Sequence, residues 1–207
     1  SSMLVCELAG IQPGDTVIDV CAAPGGKALH AADLLQGTGL VDARDITEAK
    51  TELIREHVVR CGFSNIQVRI QDAKELTKES IACADVVLAD LPCSGLGIIG
   101  RKGYIKYHVT AEKLSSLIAL QHEILKTVGQ YVKPGGILMY STCTIHRAEN
   151  EETAAWIRQH LPFEPVSLKE SLPKGIQSLT ASEGFVQLLP GIHETDGFFI
   201  AKFRKDG

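Results

Sequence analysis

Residues 16–35 narrow the possible folds of this chain more than any other stretch. TVIDV (16–20) is a short apolar strand, closed by Cys21. AAPGGK (22–27) follows, and then ALHAADLL (28–35) with apolar residues at helical spacing. Strand, glycine turn and helix in immediate succession open a nucleotide-binding α/β unit. The glycines let backbone N–H groups approach a ligand, and the start of the helix favours negative charge. The unit predicts a mostly parallel sheet with ligands bound beyond the carboxyl ends of its strands.

The rest of the chain repeats the alternation. Residues 1–9 read as a short helix. A second strand (39–43) is closed by Arg44-Asp45, and Asp45 lies nineteen residues after Gly26. That is the place of the acidic residue that accepts hydrogen bonds from a ribose diol. Glycine turn and acid together point to an adenosine-containing cofactor, without separating NAD from S-adenosylmethionine. A helix over 47–60 has Thr47 as N-cap and Gly62 as stop. Residues 66–70 alternate as a third strand, and Asp72 after it is placed to meet an adenine edge. Residues 85–89 form a fourth strand. A helix over 111–132 is stopped by Pro134-Gly135-Gly136, and 137–140 is the fifth strand. A helix over 147–160 carries Glu at its start, where the dipole favours it. Residues 162–183 read as irregular, and 185–189 with 198–203 as an antiparallel hairpin closing the sheet edge.

Length and charge bound the function. The 207 residues make one domain with ample core, and no apolar run approaches the roughly 20 residues of a membrane helix. A net charge of −4 argues against a uniformly basic nucleic-acid clamp. The six cysteines, at 6, 21, 61, 83, 93 and 143, form no CxxC pair and match no zinc spacing. They read as reduced thiols of a cytoplasmic protein, with Cys6, Cys61 and Cys83 as small buried hydrophobes. No metal is expected.

Two of the thiols stand apart. DLPCSG (90–95) follows the fourth strand and YSTCT (140–144) follows the fifth, so Cys93 and Cys143 both sit at strand ends, with Asp90 beside one of them. A thiolate is a strong nucleophile when its pKa is lowered. Cytosine carbon 5 is a poor nucleophile until a thiolate adds at carbon 6 and makes it enamine-like. An acid at ring nitrogen 3 eases that addition, and Asp90 serves if burial raises its pKa. A second thiolate then removes the carbon 5 proton after methylation. Cys93, Cys143 and Asp90 are a complete set for this chemistry, although the residues alone leave the two thiol roles exchangeable. An NAD-dependent oxidoreductase leaves both thiols unexplained. A non-catalytic RNA-binding module has no need of them.

The chain resembles the RNA 5-cytosine methyltransferases of the RsmB/Sun type. The resemblance rests on DVCAAPGGK (19–27), ARD (43–45), QDA (71–73), DLPCSGLG (90–97), RKGYIKY (101–107), KPGGILMYSTCT (133–144), AENEE (148–152) and DGFF (196–199). It implies a Rossmann-like class I S-adenosylmethionine-dependent fold acting on RNA. HETDGFF (193–199) brings it nearer the bacterial 16S rRNA enzymes than the tRNA branch. By the same resemblance, Cys21, Ala22, Ala23, Pro24, Gly25, Gly26, Lys27, Asp45, Asp72 and Asp90 bind the cofactor. Cys143 is the nucleophile, Cys93 assists release, Asp90 contacts the base, and Lys27 fixes the Asp90 carboxylate. The resemblance further implies a monomeric catalytic domain over 1–207 that in the family follows an RNA-binding region. The loop over 98–107 departs from the family pattern at 100–104, and its Arg101, Lys102, Tyr104, Lys106 and Tyr107 are candidate RNA contacts.

Overall fold

The computed structural model describes residues 2–176 and 178–207, with Lys106 described by its backbone alone. Eight strands form one sheet. Strands β1 (Thr16–Asp19), β2 (Leu40–Asp45), β3 (Ile66–Ile70), β4 (Ala84–Asp90) and β5 (Val132–Thr142) are mutually parallel. The order is β3-β2-β1-β4-β5, continued by β8 (Phe198–Lys205) and β6 (Phe163–Pro165), with β7 (Phe185–Leu188) also on β8. The strand order reverses at the β1/β4 boundary, where open α/β sheets place their ligand crevice.

Strand alternation divides the core between the two faces. Val17, Val86, Leu88 and Met139 pack with helices α1 (Ser2–Ala9), α2 (Gly26–Leu34) and α3 (Glu48–Cys61). Ile18, Val87, Leu138 and Tyr140 point to the other face. There they meet Ile124, Leu125 and Val128 of α4 (Ala111–Val128) and Ile157 of α5 (Glu151–His160). Thr47 caps α3, its hydroxyl accepting from the Lys50 N–H, and Gly62 ends the helix in the left-handed region at φ 74°. No described helix is long and apolar enough to cross a membrane.

Four expectations need correction. Strand β8 is interior rather than at the edge, pairing antiparallel with β5 on one side and with β7 and β6 on the other. Its residues Phe198, Phe199, Ile200 and Ala201 are all buried because both faces of the sheet are covered there, Phe198 and Ile200 on one and Phe199 and Ala201 on the other. The short strand β6 lies in the stretch read as irregular; its buried Phe163 packs beneath Gly129. Strand β5 starts at Val132, ahead of Pro134-Gly135-Gly136, because a register shift opposite Ala84 and Val86 absorbs the turn. Cys61 is exposed at the end of α3 rather than buried.

Candidate active site

Five parallel strands deliver five side-chain sets to one edge. Cys21 follows β1, Asp45 ends β2, Asp72 follows β3, Asp90 ends β4 and Cys143 follows β5. A cleft of about 300 Å³ opens over them, lined by Cys21, Ala23, Asp45, Asp72, Asp90, Cys93 and Cys143 among others. Ala22, Pro24, Gly25, Gly26 and Lys27 do not line it; they form the turn behind.

That turn is a backbone device. Gly25 has φ 110°, a conformation other residues rarely adopt, and its N–H bonds Ala22 O at 2.6 Å as α2 begins. A ring nitrogen of His57 on α3 lies 2.8 Å from Pro24 O. The Ala23 N–H donates to Asp45 Oδ2 at 3.0 Å, and the Ile46 N–H to Asp45 Oδ1 at 2.8 Å. Asp45 is therefore locked under the turn, and the cap of α3 is left to Thr47. Lys50 reaches Asp45 Oδ1 at 3.0 Å and also lines the cleft. No motif in the sequence analysis marked Lys50; its place one helical turn after the Thr47 cap is the signal. Asp72 both lines the cleft and holds its own turn, accepting from the Lys74 N–H at 2.9 Å.

The thiol side is built from side chains. Cys93 Sγ and Cys143 Sγ lie 3.4 Å apart. The Cys143 thiol is held below its usual range, first by the hydrogen bond from Cys93, which outweighs burial and the Asp90 charge. Cys93 is pushed far up by that same bond, by burial and by the charges of Cys143 and Glu149. The contact lets one sulfur donate to the other, with the Cys143 thiol lowered and the Cys93 thiol raised. Cys21 also lines the cleft, but burial pushes it up to about 12, which makes it inert.

Asp90 has a donor on each oxygen. Lys27 Nζ bonds Oδ2 at 2.5 Å, and Ser141 Oγ, directly opposite in the β4–β5 register, bonds Oδ1 at 2.8 Å. With its side chain 26% exposed, Asp90 is one half of an ion pair with Lys27. Burial pulls Lys27 down, but the Asp90 charge and hydrogen bond, with Asp19 behind them, hold the ammonium above its ordinary value. Lys27 also lies over the Phe198 ring, 5.7 Å from its centroid. Asp19 is fully buried with no side-chain donor among the described residues, and burial pushes its carboxyl up to about 7.

Close backbone packing brings the two cysteine turns together. A Cβ on Gly97 would stand 2.1 Å from Gly197 O and 2.8 Å from Cys143 O. The Gly97 N–H bonds Cys143 O at 3.0 Å, and the Gly197 N–H bonds Gly97 O at 2.9 Å. Glu149 does not sit where its sequence neighbours suggest. Read as one of several helix-start acids, it instead precedes α5, is fully buried, and contacts the Cys93 turn. Beyond Cys93, a second hollow is lined by Tyr104, Ile105, His108 and Lys113. Arg101 pairs with Asp196 at 3.0 Å, and the side chain of Lys106 lies outside the described residues. Among the described residues no His/Cys/Asp/Glu group could hold a metal ion.

The profile of one family, 16S rRNA methyltransferase RsmB/F, matches residues 7–204. The chain belongs to the RsmB/F family. It is 41% identical over its whole length to a probable ribosomal RNA small subunit methyltransferase B of Bacillus subtilis, covering 47% of that protein. It is 32% identical to ribosomal RNA small subunit methyltransferase F of Pectobacterium atrosepticum, over 94% of this chain and 40% of that one. The chain thus spans about half the length of these curated relatives or less. Among solved structures, NSun6 from Pyrococcus horikoshii with SFG, an S-adenosylmethionine analogue, superposes with a TM-score of 0.88. That likeness is at 29% identity and covers all of this chain and 52% of that one. Membership of a methyltransferase family leaves the NAD-dependent alternative without support.

Proposed function

We propose that this chain transfers the methyl group of S-adenosylmethionine to carbon 5 of a cytosine in RNA, in keeping with its relatives in small-subunit rRNA. The observation that carries the reading is the thiol pair, 3.4 Å apart, in one cleft with Asp45 and with Asp90, which Lys27 holds from the turn behind. The cofactor is S-adenosylmethionine, which supplies the methyl group. The cleft suits it. Asp45 is fixed by two main-chain amides where a ribose diol is to be held, and Ile46, Leu120 and Ile124 give the cleft apolar lining together with Asp72.

The residues then divide the work. Cys143, the thiol with the lowered pKa, attacks carbon 6 of the cytosine, and its sulfur–carbon bond forms as the ring loses aromaticity. Asp90 and Lys27 act as one unit at ring nitrogen 3: the ammonium holds the proton and the carboxylate directs it. Carbon 5 takes the methyl group. Cys93 then removes the carbon 5 proton, and the Cys143–carbon 6 bond breaks to restore the ring. The bond to Cys143 is the chief reason Cys93 keeps its proton at the outset. Once Cys143 is a thioether that hold is lost; Cys93, which is half-exposed, then gives its own proton to water, and the resulting thiolate takes the proton of carbon 5. Carbon 6 must be approached from its ring face, so the cytosine leaves the base stack, and Tyr104 beside the second hollow is placed to meet a neighbouring base.

The test is transfer of labelled methyl groups to unmodified small-subunit rRNA, large-subunit rRNA, tRNA and DNA, side by side. The expected result is label in small-subunit rRNA, recovered as 5-methylcytosine. Label in tRNA alone moves the substrate to the tRNA branch. Label on any atom other than carbon 5 overturns the mechanism.

A further inference from the structure

Glu149 has no part in the chemistry just described, yet it is fully buried between the two reacting turns. Among the described residues its carboxylate accepts three hydrogen bonds and has no ion-pair partner. The Ser94 N–H donates to Oε1 at 2.9 Å, and the Gln121 amide donates to the same oxygen at 3.1 Å. The Ser94 hydroxyl donates to Oε2 at 2.5 Å. With its proton committed there, Ser94 Oγ accepts from Thr144 Oγ1, 2.8 Å away. Ser94 is the neighbour of Cys93, and Thr144 is the neighbour of Cys143. Gln121 uses its second amide proton on Pro92 O at 2.9 Å, on the other side of Cys93. The Glu149 carbonyl is in turn fixed by the buried Tyr140 hydroxyl at 2.5 Å.

A buried carboxylate is costly to desolvate, and three neutral donors are a sparse return for stability alone. What the arrangement does achieve is geometric. It ties residues 92 and 94, on both sides of one cysteine, to residue 144 beside the other. It also places a negative group on the Cys93 side of the pair, where it acts against a thiolate on that sulfur. We propose that Glu149 is a positioning residue that sets the spacing of the Cys93 and Cys143 sulfurs and decides that Cys143, not Cys93, attacks. This rests on the reading of these two cysteines as the reacting thiols. It bears on the question the residues alone left open, because both cysteines follow strands in similar turns and Glu149 adds an asymmetry to the one their own contact creates.

Alkylation by iodoacetamide, followed at each cysteine by mass spectrometry, tests the proposal without RNA. In the unaltered chain Cys143 reacts faster than Cys93. Glu149→Gln keeps the shape and removes the charge and one acceptor; the ratio of the two rates is expected to fall about tenfold, as for a relative shift of one pKa unit. In methyl transfer the same variant loses kcat by about 10–100-fold, as expected of sub-ångström misplacement, while the KM for S-adenosylmethionine stays within about twofold. Glu152→Gln, exposed and paired only with Arg147, leaves both readouts unchanged. A folded Glu149→Gln chain with an unaltered rate ratio overturns the proposal. If that variant does not fold, Ser94→Ala decides. It severs the hydroxyl link alone and must lower both the ratio and kcat severalfold; unchanged values overturn the proposal. Should the unaltered chain methylate no nucleic acid, the proposed function fails, while the alkylation ratio still judges Glu149.

Discussion

The two halves of the cleft are built by different means. On the cofactor side the work is done by backbone: the Gly25 turn, the Ala23 and Ile46 amides on Asp45, the Pro24 carbonyl held by His57. On the thiol side it is done by side chains reaching across the fold: Cys93 to Cys143, Ser141 to Asp90, Ser94 to Glu149, each about fifty residues distant in sequence. A backbone cradle holds a ligand without being altered by it. A side-chain cluster can exchange protons. Binding and chemistry should therefore separate by mutation, affinity on one side and rate on the other.

The largest effect falls on the thiol side. Cys143→Ala should lower kcat by roughly 10⁴-fold or more, as loss of a nucleophile does, with S-adenosylmethionine binding by calorimetry unchanged within about twofold. Cys93→Ala should stop the cycle after methylation, leaving a covalent protein–RNA band on a denaturing gel; a clean gel with normal release rates would count against Cys93 as the base. Lys27→Met is the sharpest challenge to the two-sided picture, because Lys27 belongs to the cofactor turn yet acts through Asp90. It should behave as a thiol-side residue, lowering kcat by about 10²–10³-fold. A pure KM effect there would dissolve the distinction. Asp45→Asn should do the reverse, weakening cofactor binding about 10–100-fold, the range for one hydrogen bond to a charged group, with kcat changed by less than about threefold.

The smallest effect concerns stability. The Asp19 carboxyl rises from 3.8 to about 7 on folding, so the folded state binds its proton more tightly than the unfolded state. Its contribution is therefore fully present below about pH 3.8 and is lost as pH rises through about 7. Asp19→Asn should flatten that part of the stability curve and raise the melting temperature at pH 8 by a few degrees, on the order of 2–8 °C. A melting temperature at pH 8 lower than that of the unaltered chain would show Asp19 acting there as a needed counter-ion to Lys27.

Much of this was legible in the sequence, and the misses share a cause. The five parallel strands follow from alternation and turn residues, and Asp45 and Asp72 from their places after strands. Strand β8 was set at the edge because periodicity states how much of a strand is buried and not which neighbours bury it. Glu149 was read as a helix-start acid because Glu149, Glu151 and Glu152 look alike in sequence; only the partner at Ser94, fifty-five residues away, tells the first from the others. The family resemblance sets Lys27 beside Asp90, but nothing in DLPCSG itself announces a lysine sixty-three residues earlier.

The sequence by itself determined the fold class, the cofactor turn and the two strand-end thiols, since these depend on local backbone preference and on the order of strands. Only the tertiary structure decided how the thiols differ. That difference resides in a sulfur–sulfur contact, a buried carboxylate and an ion pair, and each joins residues that no local pattern connects. Proton affinity is set by the charges and donors around a group, and those become known only when the chain has brought them together.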